Sequence, residues 1–141
     1  MAQERVAYIN GDYLPESEVK VSFRDRGFVL GDAIFDTART FEGKIFRLDD
    51  HINRLYRSLK AVGMDPGLSP EEMTQISQTV VEKNLPLRGE GDDYWVFQRV
   101  TRGEKSIVGD AQQGSGATVI VECTPLPLKA RAPMFRDGID V

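Results

Sequence analysis

Apolar residues along this chain recur with a period of two in some stretches and near 3.6 in others, and the changes of period mark out its elements. Val6-Ala7-Tyr8-Ile9 and Asp12-Tyr13-Leu14 flank Asn10-Gly11, two residues that tolerate positive φ, which predicts a hairpin with a two-residue turn. Val19-Lys20-Val21-Ser22-Phe23 alternates and predicts a half-buried strand. Ala33 to Phe41 predicts another, and Glu42-Gly43 turns it into Lys44-Ile45-Phe46-Arg47 as a second hairpin. Ile52, Leu55, Tyr56, Leu59 and Val62 then follow i, i+3, i+4, i+7 and i+10, one face of a helix. Asp49 and Asp50 stand at its start, where carboxylates suit capping and the macrodipole, and Gly63 closes it. Ser69-Pro70-Glu71-Glu72 opens a second helix, with Ser69 as cap and Glu72 completing a capping box. Met73, Ile76, Val80 and Val81 form its buried face. Asn84 to Asp93 is a polar connection, with Asp92 and Asp93 in a solvated turn. Tyr94 to Thr101 and Ala117 to Thr124 predict two more strands, with a flexible loop at Gly109 to Gly116 between them. Pro125-Leu126-Pro127-Leu128 and Arg131-Ala132-Pro133 read as linker, because proline blocks regular structure. Gly138 to Val141 resumes a strand-like alternation. Runs of strands with the helices grouped together predict an α+β fold rather than alternating α/β.

Composition narrows the function classes. The 141 residues suit one domain, and 40% hydrophobic content supports an ordinary core. A net charge of −4 with both signs interspersed argues against a nucleic-acid or anionic-membrane partner, which would need a basic face. No apolar run approaches the ~20 residues of a membrane span, and Met1 to Arg5 lacks the apolar core of a signal peptide, so a cytoplasmic location is expected. Cys123 and His51 are the only residues of their kinds, which removes a disulfide framework and the cysteine- or histidine-rich metal sites. The chain has no G-x-S-x-G elbow, no phosphate-binding P-loop and no G-x-G-x-x-G after a strand.

Two positions remain open on the residues alone. Arg54 lies on the flank of the first helix's apolar stripe, and is either a solvated arginine or a planar, permanently charged grip for a phosphate. In the strand Ala33 to Phe41, Phe35, Thr37 and Arg39 share one face while Asp36 and Ala38 share the other.

The stretch Asp25-Arg26-Gly27-Phe28-Val29-Leu30-Gly31-Asp32-Ala33-Ile34-Phe35-Asp36, followed by Asp50-His51-Ile52-Asn53-Arg54-Leu55, resembles the N-terminal signature of the fold-type IV pyridoxal-phosphate enzymes. These include the branched-chain and D-amino-acid aminotransferases and the aminodeoxychorismate lyases. The resemblance implies the small α+β N-terminal domain of that family, an antiparallel sheet with two grouped helices. It implies residues 1–124 as that domain, 125–137 as an interdomain linker, and 138–141 as the start of a missing second domain.

It places Arg54 at the phosphate of pyridoxal 5'-phosphate and gives His51 a structural role beside it. Phe35-Asp36-Thr37-Ala38-Arg39 is similar to an aromatic-acid-Gly-x-Arg segment of branched-chain enzymes, and Phe97-Gln98-Arg99 to their aromatic-x-Arg. Phe35, Arg39, Phe97 and Arg99 would therefore stand on the substrate side. Asp36 and Thr37 depart from the usual glutamate and glycine, and Glu104 to Gly109 lacks the Arg-x-His of D-amino-acid aminotransferases. Lys20, Lys44, Lys60, Lys83, Lys105 and Lys129 all lack the surroundings of the family's cofactor-bearing lysine, which is expected beyond Val141. No catalytic residue is therefore assigned within the chain, and no metal is implied. The implied activity of the longer protein is amino transfer between an amino acid, branched-chain-like, and a 2-oxo acid, in a homodimer, with these residues inert alone. A lyase of the aminodeoxychorismate type and a non-catalytic binding or oligomerisation subunit are the alternatives.

Overall fold

The computed structural model describes residues 4–104 and 116–139. Its strands are β1 (Val6–Ile9), β2 (Asp12–Pro15), β3 (Ala33–Phe41), β4 (Lys44–Ile45), β5 (Asp93–Thr101) and β6 (Thr118–Leu126). Its α-helices are α1 (Arg26–Leu30), α2 (Leu48–Ala61), α3 (Pro70–Asn84) and α4 (Leu128–Asp137). The sheet order is β2-β1-β6-β5-β3-β4, with every pairing antiparallel. The turns follow the predicted chemistry. Asn10 and Gly11 take φ of 48° and 110°, and Glu42 and Gly43 take 51° and 79°.

Among the described residues, α2 and α3 cover one face of the sheet, while the other carries only Arg131 of α4 over Trp95 and leaves Phe35 exposed. On α2 the residues Ile52, Leu55 and Leu59 are buried, on α3 Met73, Ile76, Val80 and Val81. They close over Tyr8, Ala38, Val96, Val100, Val119 and Val121 of the sheet. Each fully buried aliphatic side chain contributes roughly 1.5–3 kcal/mol relative to exposure, so this interface is what holds the helices to the sheet. The predicted capping box of α3 is present, with the Ser69 hydroxyl accepting from Glu72 N–H and the Glu72 carboxylate accepting from Ser69 N–H. Asn84, at the other end of α3, is fully buried. It accepts from Val6 N–H at 2.8 Å and donates to Val6 C=O at 2.7 Å, pinning the helix to β1.

Several expectations are corrected. Val19 to Phe23 is not a strand. Alternation alone cannot make one without a ladder edge to join, and here the chain turns instead. Asp25 N–H reaches Ser22 C=O at 3.0 Å, and Val21 and Phe23 stay exposed. The turn leads into α1, a short helix that no period announces. Asp49 and Asp50 do not cap α2. Its N-cap is Arg47, at φ 49° with no side-chain cap bond, and Asp50 pairs with that residue's guanidinium. Asp93 is not in a solvated turn but begins β5 buried, accepting from Thr40 Oγ1 at 2.6 Å and Gly43 N–H at 3.2 Å. β6 runs on to Leu126, and most of the proline-bearing stretch is the exposed helix α4. The strong helix formers from Leu128 to Ala132 outweigh the one hydrogen bond that Pro133 removes. The loop at Gly109 to Gly116 lies almost wholly outside the described residues, as do Asp140 and Val141.

Candidate functional site

Asp36 is where the strand period and the helix period meet. It points from β3 to the covered face and is only 4% exposed. His51 and Arg54 stand three residues apart on α2 and therefore share a side of the helix. Both reach the Asp36 carboxylate. Arg54 Nε donates to Oδ2 at 2.7 Å and Arg54 Nη2 to Oδ1 at 2.8 Å, a two-pronged pair. His51 Nδ1 lies 2.7 Å from Oδ1. An ionised carboxylate only accepts, so Nδ1 carries the proton and donates. The 3.4 Å approach of Arg54 Nη2 to His51 Nδ1 is then two donors aimed at one oxygen, not a bond between them. Burial pushes the Asp36 carboxyl upward, but the Arg54 and His51 hydrogen bonds and charges outweigh it and hold the group below the ordinary aspartate range. The same partner raises the Arg54 guanidinium further above its already high value.

The array opens on an anion-friendly cleft. Its volume is about 760 Å³, and it is lined by Phe46, Arg47, Asp50, His51, Asn53, Arg54 and Arg57. Arg54 Nη1 makes no hydrogen bond among the described residues, so the guanidinium keeps donors for a ligand while its other edge is locked. Among the described residues no lysine lines this cleft.

The four residues placed on the substrate side lie on the opposite, open face of the sheet. Phe35 pairs across with Arg99, Thr37 with Phe97, and Arg39 with Trp95. Phe35 is 67% exposed. Arg99 pairs with Glu122 and lies over the Phe97 ring at 4.4 Å. Arg39 turns towards Asp93 at 3.6 Å and lies over Phe41 at 3.9 Å. Phe35, Phe97 and Arg99 are thus close neighbours, whereas Arg39 stands a few residues further along, held by a different acid. Arg54 is separated from all four by the sheet. Yet β4 pairs only with Thr40 and Phe41, which leaves β3 at the sheet margin beside Phe35 and Asp36.

A second buried carboxylate shapes the neighbouring loop. Asp25 accepts from Gly27 N–H at 2.7 Å, Thr101 Oγ1 at 2.9 Å and Thr118 Oγ1 at 2.7 Å. It thereby fastens α1 to the ends of β5 and β6 and leaves Phe28, Val29 and Leu30 exposed. Sequence reasoning does not assign the partner role of Asp36, nor Asp25 or Arg57. A signal for Asp36 exists, since it alternates to the side facing α2, where His51 and Arg54 recur at helical spacing. Beside it on β5, Gln98 is fully buried, donating to Ser77 Oγ at 3.1 Å, and its Oε1 has no partner among the described residues.

Known proteins resemble this chain in sequence and in fold. The family model described as amino-transferase class IV matches residues 33–136. D-alanine aminotransferase of Staphylococcus aureus (strain N315) is 39% identical over 96 residues, which is 68% of this chain and 32% of that protein. A putative branched-chain-amino-acid aminotransferase of Methanocaldococcus jannaschii is 33% identical over 121 residues, 85% of this chain and 40% of that protein. Among solved structures, the branched-chain aminotransferase of Thermoproteus uzoniensis with norvaline superposes with a TM-score of 0.73 at 25% identity, covering 88% of this chain and 41% of that one. The chain thus spans about a third of the first curated relative's length.

Proposed function

This chain belongs to the class IV aminotransferases, and we propose that it is the part of such an enzyme that grips the phosphate of pyridoxal 5'-phosphate and presents an apolar wall to the substrate. The observation that carries the reading is the Asp36–His51–Arg54 array. A buried carboxylate holds two nitrogens of an exposed guanidinium that lines a cleft together with Arg47 and Arg57. An arginine so oriented loses little freedom when it takes a phosphate oxygen. The described residues therefore fit the cofactor's phosphate end. They do not offer the lysine that would hold it covalently, and that group is assigned to the longer protein.

Bound pyridoxal 5'-phosphate supplies the electron sink through which an amino group passes between an amino acid and a 2-oxo acid. The chain's own residues bind and orient. Arg54 would donate to the phosphate, Asp36 holds Arg54, and His51 donates its Nδ1–H to the Asp36 carboxylate, which fixes its ring. Phe35 and Phe97 suit an apolar substrate side chain, and Arg99 suits its carboxylate in exchange for, or alongside, Glu122. The open-face aromatics favour a branched-chain-like amino acid. The protein is read as working as a dimer in a reducing, cytoplasmic setting.

The test is made on the full-length polypeptide carrying this chain. Loaded with pyridoxal 5'-phosphate, it is offered L-leucine, L-valine and D-alanine with 2-oxoglutarate, and each new amino acid is quantified. Transfer from leucine or valine, impaired by Phe35→Ala, is expected. Transfer from D-alanine alone would overturn the branched-chain assignment. Pyruvate released from aminodeoxychorismate without any amino acceptor would replace the transaminase by the lyase.

A further inference from the structure

The three arginines lining the cleft are not equally available. Arg47 is committed to Asp50, Nε to Oδ2 at 2.5 Å, and Arg54 to Asp36 through two hydrogen bonds. Each of these pairs sums to no net charge. Arg57 lies three residues beyond Arg54 on α2 and lines the same cleft. Among the described residues it makes no ion pair and no hydrogen bond. Among the described arginines lining the cleft, Arg57 is the one that no carboxylate pairs.

This matters because a phosphate dianion needs both orientation and field. Arg54 offers orientation, but its field is largely cancelled by the Asp36 carboxylate directly behind it. Residues three apart on a helix have Cβ atoms about 5–6 Å apart, and two arginine side chains springing from them can meet on one anion. A surface arginine three or four residues from an acid would pair with it or be screened by it; Arg57 has no such partner here.

We propose that Arg57 is a second anion-binding residue of this cleft, supplying the net charge that draws in and holds the phosphate dianion which Arg54 orients. The proposal rests on the reading that a cofactor phosphate sits at Arg54, and it adds a residue to that site.

The experiment measures equilibrium binding of pyridoxal 5'-phosphate to the full-length apoprotein by calorimetry, with pyridoxal and inorganic phosphate as comparison ligands. Each is measured at about 20 mM and about 500 mM salt, where screening lengths differ several-fold. Arg57→Gln is expected to weaken pyridoxal 5'-phosphate and inorganic phosphate roughly five- to tenfold at low salt, with the loss shrinking towards twofold at high salt. Pyridoxal, without the phosphate, should be unaffected, and Arg57→Lys should recover most of the affinity. Arg57 is exposed, and matching urea midpoints confirm that the variant folds. Unchanged phosphate affinity in Arg57→Gln, with Arg54→Gln still impaired, overturns this inference and leaves the Arg54 reading standing. Unchanged affinity in both variants overturns the Arg54 reading, and the inference with it.

Discussion

Replacing Asp36 with asparagine tests the array where its physics is most exposed. The carboxylate accepts from Arg54 Nε, Arg54 Nη2 and His51 Nδ1 at 2.7–2.8 Å. An amide of the same shape keeps one acceptor and turns an N–H₂ towards groups that are themselves donors. At least one charge-assisted bond is lost and a donor is set against a donor. Charge-assisted bonds contribute about 1.5–3 kcal/mol each, and stripping a partner from a fully buried ion pair costs about 3–5 kcal/mol. Here the partner side chain is 59% exposed and rehydrates, so the lower range applies, about 2 kcal/mol at pH 7. Trp95 is the chain's one tryptophan and reports unfolding in urea. With a slope of about 1–3 kcal/mol/M, the midpoint should fall by roughly 1 M.

The pH dependence sharpens this test. The folded carboxyl lies below the ordinary value, so its contribution is complete above the unfolded value of about 3.9 and fades as pH falls through the lower folded one. Wild type and Asp36→Asn should therefore differ fully at pH 7 and converge as the pH falls through the lowered folded value of Asp36. Equal midpoints at pH 7, or a gap that persists undiminished in acid, would refute the claim that the ionised Asp36 anchors Arg54.

Other expectations concern the scaffold. A Cβ at Gly27 would sit 2.4 Å from Thr101 Cγ2, so Gly27→Ala should destabilise by about 1–3 kcal/mol and shift α1, measured by urea unfolding and by amide shifts of Phe28 to Leu30. Asn84→Ala strands the N–H and C=O of Val6 and leaves a void, which should lower stability by about 2–4 kcal/mol and speed hydrogen exchange in β1. Burial pushes the Cys123 thiol up to about 12 despite the hydrogen bond from Asn84, so a thiol reagent at pH 8 should label it only when the protein unfolds.

Much of the architecture was legible because local periods agree with tertiary packing. Ile52, Leu55 and Leu59 of the predicted stripe, the Ser69–Glu72 cap and the Asn10-Gly11 and Glu42-Gly43 turns each carry their own stereochemistry and stand as predicted, whereas Val62, predicted on the same stripe, is the exposed C-cap of α2. The failures have a common cause. Val19 to Phe23 has the pattern of a strand but no neighbouring edge, and pattern says nothing about partners. α1 is too short to show a period and is set by Asp25, whose three hydrogen bonds reach residues up to 93 positions away. α4 follows local propensity across a proline that argued against it. The site divides in the same way. Alternation along β3 foretold that Phe35 and Asp36 face apart, but only the folded chain brings Asp36 to Arg54, and only the pattern of ion pairs singles out Arg57.

The central claim, that Arg54 holds a cofactor phosphate, is tested most directly by phosphorus NMR of pyridoxal 5'-phosphate bound to the full-length polypeptide. In the wild type the resonance should stay at the dianion position across the pH range in which free phosphate monoesters titrate, near ~6. In Arg54→Gln it should move towards the free ligand and regain that titration. A bound resonance identical in the two proteins would place the phosphate elsewhere and contradict the account.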